Sequence, residues 1–393
     1  MPPDSVLLPR LDGTVGPYRP ERKPVVPPAD GRPSTSRVAY AAAHVVCDPL
    51  AGHGHRAASQ VDWDATLAFR RHLWSLGLGV AEALDTAQRG MGLEWSQAAE
   101  LIRRSAAEAR AVGGRLVCGA ATDHLAPGPR TLDEVVRAYG EQCEVVEAAG
   151  ARPVLMASRH LAAIDGGSDA YLDTYGQVLD ACNGPVVLHW LGEMFDPALA
   201  GYWGATDLAG AAEVVMEICT RHDGKVEGVK VSLLDEALEV DLRRRLPDGV
   251  RVYTGDDFAF PGLIRGDAHG HSDALLGIFD PIAPVAASAL RALDDGDVDG
   301  FGELLEPTVE LSRHLFAAPT FHYKTGIVLL AYLNGHQAHF RMLGGLESAR
   351  SVRHLGEAFA LADRAGALAD PELAVERMRR VLALAGVDQD GTP

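Results

Sequence analysis

From about residue 38 onward, short apolar runs alternate with amphipathic stretches. Eight runs read as strands: Arg37–Cys47, Gly79–Ala83, Arg115–Gly119, Arg152–Ala157, Gly184–Trp190, Val226–Val231, Val250–Thr254 and Ala274–Phe279. The second to seventh are short and apolar, as parallel strands are when helices cover both faces. Between them lie helical stripes. Val135, Tyr139, Cys143 and Val146 recur at i, i+4, i+8 and i+11. Tyr175, Val178, Leu179 and Cys182 make a second stripe, and Leu208, Ala211, Ala212, Val215 and Cys219 a third. Asp62, Thr131 and Asp207 stand where N-caps belong, and Gly77, Gly150 and Gly184 where helices end. Eight strand–helix alternations over roughly 250 residues predict an α/β fold, a (β/α)8 TIM barrel. An open doubly wound sheet alternates in the same way but usually carries a glycine-rich phosphate turn after its first strand. Here Cys47-Asp48-Pro49 runs into Gly52-His53-Gly54-His55 instead.

The pattern divides the chain into three segments. Residues 1–36 hold nine of the 23 prolines and few large apolar side chains. They read as an extended Pro-rich N-terminal arm that wraps the body or a neighbouring subunit, or forms a partly ordered tail. Residues 37–282 make the barrel. Residues 283–393 form a C-terminal helical appendix, with helices expected over Ala283–Leu293, Val298–Phe316, Gly326–Met342, Ser351–Ala365 and Pro371–Ala385. The appendix is expected to pack on the barrel and to help build a homo-oligomer.

Charge narrows the partners. Lys+Arg number 36 against 54 Asp+Glu, a net charge of −18. Nucleic-acid binders show a basic face, so no nucleic acid is expected, and an anionic membrane surface is disfavoured for the same reason. No apolar run approaches the roughly 18–20 residues of a membrane helix. The start, Met1-Pro2-Pro3-Asp4-Ser5, lacks the basic and apolar regions of a signal peptide. Five scattered cysteines without a C-x-x-C pair point to a reducing, cytoplasmic setting.

In a barrel, chemistry belongs at the C-terminal ends of the strands. Lys230 is the most informative residue, set within the apolar run Val226-Glu227-Gly228-Val229-Lys230-Val231-Ser232. Facing inward in a dry barrel mouth, its amine loses hydration and its pKa falls toward neutrality. A neutral amine attacks carbonyls and forms a Schiff base, which permits C–C cleavage or dehydration. The alternative is a lysine paired with an inward carboxylate.

Gly228-Val229-Lys230, followed by Val252-Tyr253-Thr254-Gly255-Asp256-Asp257, resembles the sixth- and seventh-strand signature of the dihydrodipicolinate synthase/N-acetylneuraminate lyase superfamily. Val61-Asp62-Trp63-Asp64, Ala148-Ala149-Gly150-Ala151 and Pro185-Val186-Val187-Leu188 resemble its other strand and helix starts, over roughly residues 40–345. The resemblance implies an imine-forming lysine at Lys230, no cofactor, and a dimer or tetramer. The Tyr-Asn that ends the family's fifth strand is replaced by His189-Trp190, and His189 is expected to take over proton transfer. The family's Thr-Thr-Gly-Glu loop, which holds a 2-oxo acid carboxylate, is replaced by Asp85-Thr86-Ala87-Gln88-Arg89-Gly90, and an expected arginine by Met194. Asp85 would repel a carboxylate, while Thr86 keeps a hydroxyl and Arg89 could supply positive charge. The expectation is therefore a class I aldolase-like lyase or dehydratase, acting on a small carbonyl compound derived from a sugar or polyol. It is not expected to make dihydrodipicolinate. Lys230 and His189 are the catalytic candidates, and Asp85, Thr86, Trp190, Ser232 and Asp257 the substrate-binding ones. No metal ligand set is assigned.

The competing reading is a divalent-metal sugar isomerase or epimerase. It would draw on His53, His55, Asp123, His124, His160, His189 and Glu193 at strand ends. Asp256 is expected to cap the helix beginning near Phe258. Gly266–Asp273, though rich in His and Asp, precedes the eighth strand and reads as a turn on the stability face. Phe321-His322-Tyr323-Lys324 reads as a surface or interface element ahead of a helix.

Overall fold

The computed structural model describes residues 4–51 and 60–387. His53 and His55 lie outside the described residues. Strands β1 (Val6–Pro9) and β2 (Val15–Tyr18) pair as an antiparallel hairpin within the Pro-rich segment. Eight further strands are β3 (Ala39–Ala42), β4 (Gly79–Glu82), β5 (Leu116–Ala120), β6 (Arg152–Leu155), β7 (Val186–Leu191), β8 (Val226–Ser232), β9 (Arg251–Thr254) and β10 (Asp273–Leu276). They close into a barrel in the order β10-β3-β4-β5-β6-β7-β8-β9, and every pairing is parallel. Helices alternate with the strands along the chain, so the fold is a (β/α)8 barrel followed by a helical region.

The expected caps form. Asp62 accepts from Ala65 N–H at 3.0 Å and Asp207 from Gly210 N–H at 2.7 Å. Thr131 and Glu134 make a reciprocal capping box.

The first and last strands are shorter than their apolar runs. After Ala43, whose N–H still donates to Ala81 O at 3.2 Å, the backbone leaves the ladder because side chains satisfy it instead. His44 N–H donates to Asp280 Oδ2 at 2.8 Å, Val46 N–H donates to Thr66 Oγ1 at 2.9 Å, and Arg70 donates to His44 O. In the helical region, Pro307 splits the expected Val298–Phe316 helix into Val298–Leu305 and Thr308–Leu315. The helix Tyr323–Leu333 ends early, and Gly335 follows it at φ +87°.

The chain separates into two compact units. One comprises residues 37–43 and 79–277 and contains the whole barrel sheet. Its inner cluster includes Tyr40, Ala42, Ala81, Val117, Val154, Met156, Val187, Tyr253 and Leu275, alternate residues of the strands. Its outer cluster joins the opposite strand faces to helices, with Tyr139, Tyr175, Trp190, Trp203 and Val215 among its members.

The other unit comprises the described parts of residues 1–36, 44–78 and 278–393. Here the N-terminal segment is fastened by buried or part-buried carboxylates. Asp363 accepts from Tyr18 OH at 2.8 Å, Glu21 N–H at 3.1 Å and Arg22 N–H at 3.2 Å. Asp294 accepts from the backbone and hydroxyls of the Ser34–Ser36 turn. The same unit holds a cluster of rings from His44, Phe69, His72 and His336, with adjacent centroids 4.4–5.0 Å apart.

Candidate active site

Strand alternation decides what β7 and β8 turn inward. Val187 is inward, so His189 is inward too. On β8, Gly228, Lys230 and Ser232 share a face. The register pairs His189 with Lys230 on one side and Lys230 with Tyr253 on the other. The two catalytic candidates are therefore direct neighbours across one ladder rung.

The surroundings explain the glycines of the motif. A Cβ on Gly228 would lie 2.9 Å from the Tyr253 ring, so the missing side chain makes room for that ring beside the lysine. Tyr253 is fully buried and its hydroxyl donates to Glu227 at 2.8 Å, which pins the ring as a floor. A Cβ on Gly255 would lie 2.2 Å from Ser232 Oγ and 3.0 Å from Lys230 Cε. Only glycine lets the turn after β9 close on both residues.

Lys230 is 7% exposed. Burial lowers its pKa, while Asp85 and Asp257 act in the opposite direction. His189 is 0% exposed. Burial, and next the positive charge of Lys230, hold its pKa well below the ordinary histidine value. It is thus a neutral imidazole at physiological pH. One ring nitrogen, Nε2, lies 3.3 Å from Ser232 Oγ. The other, Nδ1, is buried with no hydrogen-bond partner among the described residues. An orphaned acceptor or donor of this kind inside a barrel is a place for a ligand atom.

Asp85 opens the short helical turn Asp85–Ala87 just after β4, with Thr86 buried behind it. Asp257 is buried after β9. Asp256 accepts from Phe258 N–H at 2.8 Å and Ala259 N–H at 3.0 Å, ahead of the helix Phe260–Arg265, and so braces the turn as expected of a cap. Two residues that follow barrel strands carry positive φ without being glycine, Ala83 at +54° after β4 and Leu234 at +55° after β8. Strain of this kind clusters at functional sites.

Lys230, His189, Ser232, Asp85 and Asp257 are brought together by ladder pairing, hydrogen bonding or charge. Trp190 is not. It is one residue on from His189 and so faces the other way, 2% exposed against Trp203, with ring centroids 6.2 Å apart. It is a filler of the outer core. Arg89 is also unavailable to a substrate. Its five donors go to Asp123 (both oxygens at 2.7 Å), Gln142 Oε1 (2.5 Å), Ala83 O (3.2 Å) and Gly119 O (3.1 Å). Tyr253 was not singled out by the motif reading, although its parity with Gly255 places it inward.

Two strand-end residues of the metal reading have other partners. Asp123 holds Arg89, and His124 lies 2.9 Å from Glu141 and 2.7 Å from Gln142. Among the described residues no group of three or more His, Cys, Asp or Glu is placed to hold a metal ion. Asp267 of the Gly266–Asp273 turn binds Arg243 and Arg244 at 2.9 Å each. Lys324, expected at the surface, is buried in the first turn of its helix, with Nζ 3.0 Å from Phe321 O. No described helix is long and apolar enough to cross a membrane.

A family model described as "Protein of unknown function (DUF993)" matches residues 6–387. No curated protein matches the sequence. Among solved structures, dihydrodipicolinate synthase from Aquifex aeolicus is 12% identical at a TM-score of 0.59, covering 90% of this chain and 100% of that one. The enzyme from Bacteroides thetaiotaomicron is 13% identical at 0.62, covering 84% and 98%. That from Bacillus anthracis is 13% identical at 0.60, covering 83% and 98%. These likenesses establish a shared fold.

Proposed function

Because the chain belongs to the DUF993 family and has the fold of the dihydrodipicolinate synthases, we propose from its site that it is a Schiff-base-forming lyase. The substrate class we propose is a small carbonyl compound derived from a sugar or polyol. One observation carries the reading: a buried lysine and a neutral buried histidine occupy one rung of the barrel interior.

The chain has four lysines, and the other three are differently placed. Lys23 is exposed, Lys225 donates to Cys182 O and Lys324 donates to Phe321 O. The Lys230 amine, whose pKa is lowered by burial, attacks the carbonyl carbon. One proton moves from the nitrogen to the oxygen and a second comes from solvent, so that the oxygen leaves as water and a protonated imine remains. The carboxylates of Asp85 and Asp257 stabilise that positive charge. The imine then takes up the electron pair of the adjacent C–C bond, which breaks as the hydroxyl beyond it loses its proton, or that of the adjacent C–H bond, giving an enamine that expels the next hydroxyl with its C–O pair. His189 accepts and returns the proton, and Ser232 orients its ring.

The test is reduction with borohydride after incubation with small aldehydes and ketones, followed by peptide mass spectrometry. Lys230 is expected to carry the reduced adduct. A turned-over substrate that leaves Lys230 unmodified would defeat the proposal. Loss of activity to a chelator, with Lys230→Ala still active, would establish the metal isomerase instead.

A further inference from the structure

We propose that Asp85 selects substrates by charge, admitting carbonyl compounds with hydroxyls beside the carbonyl and turning away 2-oxo carboxylates. The inference rests on the imine role of Lys230 and names the residue that sets its substrate class.

In the barrel order, β4 lies four strands from β8, on the opposite side of an eight-stranded ring. Asp85, at the end of β4, therefore reaches the field of Lys230 from across the mouth, whereas Asp257 follows the adjacent strand β9. The lysine is flanked by carboxylates from two directions. Among the described residues, no hydrogen-bond donor of the protein is assigned to the Asp85 carboxylate. It is an acceptor open to a ligand hydroxyl.

A 2-oxo acid would need hydrogen-bond donors or a cation to offset its carboxylate next to the imine. The arginines on the loops after β4, β5 and β6 are each engaged elsewhere. Arg89 is bound by Asp123, Arg130 donates to Ala126 O at 2.6 Å, and Arg159 lies 2.5 Å from Asp196. After β7, Met194 folds back so that its sulfur would sit 2.3 Å from a Cβ on Gly192, and a thioether brings no positive charge to that loop. Among the described residues, a carboxylate entering this mouth meets the like charge of Asp85 with no arginine free to offset it, a specificity element built from repulsion. A hydroxyl can instead donate to Asp85.

The test is competitive trapping. Full-length protein is given pyruvate and dihydroxyacetone at equal concentration with cyanoborohydride, and the two adducts on Lys230 are quantified by mass. The wild-type protein is expected to trap dihydroxyacetone in preference. Asp85→Asn, and Asp85→Ser as a second variant, should shift the ratio toward pyruvate by about tenfold, the scale of one nearby charge in a partly dry site. Asp85→Glu should retain the wild-type preference. Equal trapping of both probes by the wild type, or an unchanged ratio in the Asn and Ser variants, would overturn the role of Asp85 while leaving the lysine reading intact. Absence of both adducts on Lys230 would defeat the lysine reading, and this inference with it.

Discussion

Replacing Glu239 by glutamine should stabilise the barrel unit and flatten its pH dependence. Glu239 lies in the helix Glu236–Arg245 and is 0% exposed. Its Oε1 accepts from Ser272 Oγ at 2.7 Å. Burial is the main cause that pushes its pKa from 4.5 to about 8, with Asp256 adding to the shift and Ser272 and Arg243 opposing it. The folded protein therefore keeps a proton that the unfolded chain gives up near pH 4.5. Its contribution to stability is greatest below 4.5, falls as pH rises and levels off above about 8. Between 4.5 and pH 7, at about 1.4 kcal/mol per unit, the loss is about 3 kcal/mol. Glutamine retains the acceptor for Ser272 and has no proton to lose. Urea unfolding of wild type and Glu239→Gln at pH 5 and pH 7.5 should show a gap that widens with pH in favour of the variant. A gap that stays constant, or a variant that is less stable at pH 7.5, would refute a protonated buried carboxyl.

Other consequences follow from the same structure. His189→Phe should still form the Lys230 imine but lose about 10²–10⁴-fold in turnover, since only the proton carrier is removed; steady-state kinetics beside adduct trapping would separate the two. Arg89→Met should cost about 3 kcal/mol, because Asp123, Gln142 and two carbonyls lose their shared donor, and a thermal melt would read it. Burial, then His72, His44 and Arg377, push the pKa of His336 from 6.5 down to about 3. The unfolded chain takes a proton that the folded one refuses, so stability falls as pH drops from 6.5 toward 3, by about 2 kcal/mol at pH 5. His336→Phe should blunt that acid limb in unfolding curves.

The barrel was legible because its strands and helices differ in period, and the lysine because a charge inside an apolar strand stands out. His189 and Lys230 could be named, but their pairing on one rung depends on register, which spacing alone does not reveal. Trp190 was misassigned for the same reason, since one step along a strand reverses the face. Arg89 showed as an available charge because its partner Asp123 lies 34 residues away. The first strand was read too long because buried apolar residues look alike, whether the backbone bonds to a ladder or, as at His44, to a side chain such as Asp280. Glu239 sits in the charged run Glu236–Arg245, and nothing in its neighbours marks it as the buried member.

The central claim is a lysine amine that is both shielded and reactive. With four lysines in the chain, each can be followed separately while a small amine-acylating reagent is applied across a pH series. Half-maximal labelling of Lys230 is predicted at a pH below the ordinary lysine value of 10.5. Half-maximal labelling of Lys230 at or above 10.5, or no labelling at any pH, would contradict it.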